Sequence, residues 1–191
     1  MNKKDKIVDI LKESITAKAL ILYDESLIAE IEAAANLISK TLSKGGRVLV
    51  CGNGGSAAYS QHFVAELVGR FQKERRALAA IALTTDTSIL TAMGNDYGFE
   101  SVFARQVEAL GAPKDLLFAI STSGQAKNVL LAVKQAKKKG LAVVGLTGKG
   151  GGALARSCDI SLIMPSGITA RIQECHIAII HTLCELVESS L

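Results

Sequence analysis

Tryptophan is absent from this chain of 191 residues, and aromatic residues make up only 4% of it, too few to furnish a stacking platform for single-stranded nucleic acid. The two prolines, Pro113 and Pro165, both fall outside the stretches with helix or strand periodicity. No apolar run approaches the roughly 18 residues that a membrane-spanning helix needs. Asp9, Lys12 and Glu13 also break up the N-terminal stretch where a signal peptide would carry its apolar region. Cysteine is sparse and scattered. Cys51, Cys158, Cys175 and Cys184 form no Cys-x-x-Cys pair and no close metal spacing, so they are expected as reduced core residues of a cytoplasmic protein. Charge of either sign is limited: 22 basic residues are scattered among 18 acidic ones. The resulting net +4 suits an anionic small ligand and is far from a nucleic-acid footprint. Apolar residues, by contrast, make up 49% of the chain at a mean hydropathy of +0.30. That excludes a disordered chain and exceeds what a small monomer needs, which implies surface buried between subunits.

Residues 4–22 and 25–43 carry apolar side chains at helical spacing: Ile7, Ile10 and Leu11, then Leu27, Ile28, Ile31, Ala34, Ala35 and Ile38. They predict two helices separated at Tyr23-Asp24, the second ended by Gly45-Gly46. Residues 1–45 are expected to serve oligomerisation. The pattern then changes to short, continuously apolar runs at 47–52, 78–84, 115–121, 141–147 and 159–164. Between them lie helical stretches at 57–70, 98–110, 126–139 and roughly 150–156, and a helix over 169–190 closes the chain. Apolar strands alternating with helices mark a parallel sheet covered on both faces. The expectation is one domain over 1–191: an α/β, three-layer, doubly wound sandwich with a five-stranded parallel sheet over 46–191, preceded by two helices.

Ligands in such sheets bind beyond the carboxyl ends of the strands. The first strand ends in CGNGGSA, where Gly52, Gly54 and Gly55 permit a tight turn that brings backbone N–H groups near a ligand. Ser56 is expected to cap the following helix, whose positive end favours an anion. The run is not a GxGxxG, and no acid closes the second strand, which argues against a dinucleotide site. The third strand ends in Ser121-Thr122-Ser123-Gly124, and three hydroxyls before a helix suit a phosphate. An ordinary helix cap explains one of those hydroxyls, not three.

His62 and Glu66 stand four apart, on one face of a helix, and can share one metal ion or one substrate. Taken alone, such a pair is more often a plain surface or core contact. The last helix reads TARIQECHIAIIHTLCELVESS, with Ile172, Cys175, Ile179, Leu183 and Leu186 as its packing stripe. Gln173 and His181 are eight apart, about 12 Å along the axis and turned roughly 80° from each other. Either both side chains reach toward one point between them, or a second subunit contributes one of the two. The second alternative puts the site at a subunit boundary. His176 is expected to be a packing histidine.

Together, CGNGGS, QHFVAEL, ALTTDTS, GNDYGFE, STSG, LTGKGGG and ARIQECHIAIIH identify the chain by resemblance with the bacterial phosphoheptose isomerases, members of the sugar-isomerase (SIS) fold group. The likeness runs from the N-terminal helices to the end in the same order. STSG alone is shared by many sugar-phosphate binders; HxxxE combined with QExHxxxxH is far more specific. The resemblance implies conversion of sedoheptulose 7-phosphate to D-glycero-D-manno-heptose 7-phosphate through an enediol, the first step toward heptose for lipopolysaccharide core or surface polysaccharide. It implies a metal site of His62, Glu66, Gln173 and His181, usually zinc, one ion per subunit. Glu66 and His181 are then the catalytic acid–base residues. Asn53, Gly54, Gly55 and Ser56, with Asn95 and Asp96, Ser121, Thr122 and Ser123, and Glu66 and Gln173 themselves, are the implied sugar-phosphate contacts. The implied assembly is a homotetramer with sites between subunits. Three positions depart from the family: Ala126 and Ala170 where serine and aspartate are frequent, and Tyr59 where an acid is. They are expected to alter affinity or heptose preference.

Rival readings are a non-catalytic tetramer of the same fold that binds the replication initiator, a sugar-phosphate-sensing regulator, and an isomerase of a pentose or hexose phosphate. The first has no use for Glu66 together with His181. The second should be joined to a DNA-binding module, and the N-terminal helices have no basic recognition face.

Overall fold

The computed structural model describes residues 2–191. Two helices come first, α1 (Lys3–Leu22) and α2 (Glu25–Ser43). Each begins on a side chain that accepts a backbone N–H, Asn2 from Asp5 and Asp24 from Leu27, both at 2.9 Å. The strands β1 (Val48–Gly52), β2 (Ala80–Ala82), β3 (Leu116–Ser121), β4 (Ala142–Thr147) and β5 (Ile160–Ile163) form a five-stranded sheet in the order β2-β1-β3-β4-β5. All its pairings are parallel. Helices α3 (Gly55–Val68), α4 (Thr87–Tyr97), α5 (Val102–Leu110), α6 (Lys127–Lys138) and α7 (Gly152–Ala155) lie between the strands, and α8 (Thr169–Ser190) ends the chain.

Alternation along the central strands divides the core in two. Val48 and Val50 of β1, with Phe118 and Ile120 of β3, face the layer made by α1, α2, α3 and α8. Leu49 and Cys51, with Leu117 and Ala119, face α5, α6 and α7. On the first face the rings of Phe63 and Phe118 meet edge-on, 5.0 Å between centroids. Because both faces are covered, each central strand is apolar throughout, the pattern visible in the sequence.

The differences from expectation have local causes. The run at 78–84 yields only three residues of strand, because β2 is an edge strand paired to β1 alone. Residues 87–97 form α4, which the sequence reading does not include: none of its residues is fully buried, and only Leu90 and Met93 pack partly against the core. The expected helix at 98–110 is α5 preceded by a short 3-10 turn, Phe99–Ser101. On α8 the stripe ends on Val187, and Leu186 is exposed. α2 buries seven residues, whereas α1 buries only Ala17 and Ile21. Ile7, Leu11, Ile15 and Leu22 of α1, and Tyr23 at its C-cap, stand mostly in the open.

Candidate active site

The chain leaves β1 to one side and returns through β3 on the other, so the carboxyl ends of these two neighbours flank a crevice. Gly54 turns the chain there with φ +55°, a backbone region that favours glycine, and α3 starts at the next residue. The helix therefore begins earlier than expected. Ser56 lies inside its first turn, buried, and caps nothing; Gly54 holds the cap position without a side-chain hydrogen bond. Across the crevice the Asn53 and Asn128 amides exchange two hydrogen bonds of 2.8 Å each. Asn128, buried at the start of α6, also accepts from the Val129 N–H. Nothing in the sequence marks this asparagine, whose partner is 75 residues away. Ser121 is buried at the end of β3, with Thr122 and Ser123 half-buried after it, and Ser123 accepts from the Gln125 N–H at 3.2 Å. A cleft of about 470 Å³ opens beside Asn53, Phe99, Lys127 and Asn128.

Helices α3 and α8 run side by side in the same direction. At their start the Gln173 amide lies so close to Gly55 that a Cβ on that glycine would be 2.5 Å from Gln173 Nε2. Seven residues along α3, His62 Nε2 meets His181 Nε2 at 2.9 Å. His62 Nε2 also lies 3.5 Å from Glu66 Oε1. All four side chains are half-buried. His62, Glu66 and His181 thus meet within one chain, while Gln173 touches α3 about two turns, or 10 Å, earlier. Among the described residues, no three or more His, Cys, Asp and Glu side chains form a ready metal cage; His62 is the shared member of two close pairs. Asn95 and Asp96 are exposed near the end of α4, where Asn95 Nδ2 donates to Asp96 Oδ1 at 2.8 Å, and neither bonds to the other candidate residues. Tyr59 and Ala126 are half-buried and Ala170 is exposed.

Other groups near the site have settled roles. His176 is fully buried, with Nε2 3.2 Å from the Thr147 carbonyl and Nδ1 without a partner. Burial holds its pKa down at about 4, so the ring is neutral and packs, as its sequence context suggests. Burial pushes the Cys51 thiol up to about 12 and raises that of Cys175, so both behave as small core residues. Beyond His181, the Phe71 ring stacks at a tilt, 5.5 Å between centroids. The segment carrying Phe71 is fastened to α8 by Glu188. That carboxylate accepts the backbone N–H groups of Phe71 (3.0 Å), Gln72 (2.7 Å) and Lys73 (2.7 Å), and pairs with Arg75 at 3.0 Å. Burial opposes its charge, but these donors prevail and hold the carboxyl down at about 2.

A doubly wound parallel sheet with a glycine turn and a hydroxyl loop at one end, and a His–His–Glu cluster between two helices, is the layout of a sugar-isomerase-type (SIS) domain. The SIS-domain family matches residues 12–148. Phosphoheptose isomerase 1 of Campylobacter jejuni is 56% identical over 179 residues, covering 94% of this chain and 96% of its own. A solved phosphoheptose isomerase from Neisseria gonorrhoeae superposes with a TM-score of 0.93 at 46% identity, over 98% of this chain and all of the other. The corresponding structure from Francisella tularensis also gives 0.93, at 44% identity over 99% and 100% of the two chains. The chain belongs to the phosphoheptose isomerase family of SIS-domain proteins.

Proposed function

We propose that this chain is an isomerase that converts sedoheptulose 7-phosphate to D-glycero-D-manno-heptose 7-phosphate. The observation that carries the assignment is the meeting of His62, Glu66 and His181 between α3 and α8, in a chain whose relatives at this level of identity are phosphoheptose isomerases. The reaction moves hydrogen between adjacent carbons and leaves the rest of the sugar alone. Glu66 takes a proton from the hydroxymethyl carbon beside the ketone and returns it to the former carbonyl carbon. Between the two transfers the substrate is an enediol, and His181 moves a proton between its two oxygens. Ser121, Thr122 and Ser123 bind the phosphate, and Asn53, Gly54, Gly55 and Ser56 line the other wall, with Asn128 holding Asn53 in place. Gln173 fixes the sugar from the start of α8.

The donor set fits zinc. Two imidazole nitrogens and a carboxylate are its ordinary ligands. Nitrogens bound tetrahedrally at 2.0–2.1 Å are about 3.3 Å apart, so the 2.9 Å pair of His62 and His181 needs to open by only a few tenths of an ångström. His62, Glu66 and His181 would hold the ion, and Gln173, the fourth member of the implied set, stands about two turns away beside Gly55. When bound, zinc supplies Lewis acidity toward the substrate carbonyl.

The apolar side chains that α1 leaves in the open support a homotetramer with sites at subunit boundaries. The exposed Asn95 and Asp96 would reach sugar from such a boundary. Among the described residues no helix is long and apolar enough to cross a membrane, and the reading places the enzyme in the cytoplasm. The purified protein tests the assignment when given sedoheptulose 7-phosphate, ribulose 5-phosphate and fructose 6-phosphate in parallel, before and after chelation. Heptose 7-phosphate formation that chelation removes and zinc restores is the expected result. Preference for a pentose or hexose phosphate would overturn the substrate, and turnover indifferent to chelation would overturn the metal.

A further inference from the structure

The segment between α3 and β2 contains no helix or strand, yet its first half is held at several points. Glu188 fastens it to α8 through three consecutive backbone N–H groups, with a side chain only 2% exposed. Arg75, 11% exposed at its side chain, joins that carboxylate to α3. Its guanidinium donates to the carbonyls of Glu66 at 2.7 Å and Leu67 at 3.0 Å, which lie in the last turn of the helix carrying His62 and Glu66. Glu188 stands seven residues beyond His181 on the same helix. The carboxylate–guanidinium unit therefore grips α3 just past its acid–base residues and α8 just past His181. The same unit sets Phe71 against the His181 ring.

We infer that Glu188 and Arg75 are positioning residues of the isomerase: together they fix the spacing of α3 and α8 at the His62–His181 contact and seat Phe71 on His181. The inference rests on the function proposed above. Neither residue is among the proposed substrate contacts. A helix-end cap with only a structural role would need the guanidinium and the carbonyls, but not a carboxylate that also binds the N–H of Phe71, the residue stacked on His181, and those of the two residues after it. Proton transfer is steep in distance, so a displacement on the order of 1 Å reduces turnover by roughly tenfold to a hundredfold.

The test compares Glu188→Gln with Asp115→Asn in the zinc-loaded protein. Asp115 is an equally buried carboxylate that accepts backbone N–H groups at the opposite end of the sheet. The readouts are kcat and KM for sedoheptulose 7-phosphate, the melting temperature, and the nuclear Overhauser effect between the Phe71 and His181 rings in metal-free protein. In Glu188→Gln an amide nitrogen faces a backbone N–H, so kcat is expected to fall at least tenfold with KM within twofold and the ring-to-ring signal to vanish. Asp115→Asn is expected to melt earlier yet keep both. The inference is overturned if Glu188→Gln retains the signal and a kcat within twofold of wild type, or if Asp115→Asn loses kcat equally. Should Glu188→Gln not fold, Arg75→Lys keeps the charge but loses the fork, and a kcat within twofold of wild type there is equally contrary. A wild-type protein inert toward the heptose phosphate overturns the functional reading instead, and the ring-to-ring signal then decides the positioning claim alone.

Discussion

At the amino ends of the strands, polar side chains are engaged with the backbone. Asp115, ahead of β3, accepts from the N–H groups of Arg47 (2.8 Å) and Ala112 (3.0 Å) and pairs with the Arg47 guanidinium. Asp159, ahead of β5, accepts from the Val143 N–H at 2.7 Å and pairs with Lys137. At the carboxyl ends the polar groups face one another across a crevice. Asn53 bonds Asn128, His62 approaches both His181 and Glu66, and Ser121 ends β3 with Thr122 and Ser123 following it. Those groups can exchange their present partners for a ligand; Asp115 cannot without leaving buried N–H groups unmatched. The lesson is that similar polar chemistry stabilises one end of a parallel sheet and stays available for chemistry at the other.

If that division is right, His181→Ala reduces turnover about 10²–10⁴-fold, the range for losing a general acid–base group, with little change in melting temperature. An equal loss of stability would break the comparison. Asp115→Ala should do the reverse. Leaving buried N–H donors unmatched costs about 3 kcal/mol, measurable by urea titration, while kcat per folded molecule stays at the wild-type value. Acid should act on buried groups of both ends, with the sign fixed by two shifts. His176 has a folded pKa of about 4 against 6.5, so the unfolded chain binds its proton first, and stability falls as pH drops from 6.5 to 4, by up to about 3 kcal/mol. The Glu188 carboxyl, held at about 2 against 4.5, contributes stability that is complete above 4.5 and lost as pH falls toward 2. Denaturant midpoints across pH 7 to 3 would show these as successive losses, and His176→Gln should flatten the first. The smallest effect is expected for Asn128→Ala, which frees Asn53 and should raise KM several-fold, the size of one or two ordinary hydrogen bonds, with kcat less affected.

Much of this was legible in the sequence. The parallel sheet followed from strands apolar on both faces, and the His62–Glu66 pair from helical spacing. The eight-residue separation of Gln173 and His181 left open whether they converge on one point or belong to two subunits; in the structure His181 meets His62 inside one chain while Gln173 lies against Gly55. What stayed hidden is long-range or weakly striped. α4 packs only Leu90 and Met93 partly against the core, a short and weak stripe. Asn128 acts on a residue 75 positions away, and Glu188 on backbone more than 110 positions away. Backbone acceptors of that kind depend on where the chain returns in space, which residue type alone does not announce. Ser56, expected as a cap, lies inside α3 because Gly54, at positive φ, lets the helix begin sooner.

The most direct test of the central claim is hydrogen exchange at carbon. Wild-type protein and Glu66→Gln would be incubated with sedoheptulose 7-phosphate in deuterium oxide, and deuterium at the first two carbons of recovered sugar phosphate followed by NMR. The account expects the wild type to incorporate deuterium as it forms the aldose, and Glu66→Gln, folded and still binding sugar, to slow both by about 10²–10⁴-fold. Incorporation and product formation by Glu66→Gln at the wild-type rate would contradict it.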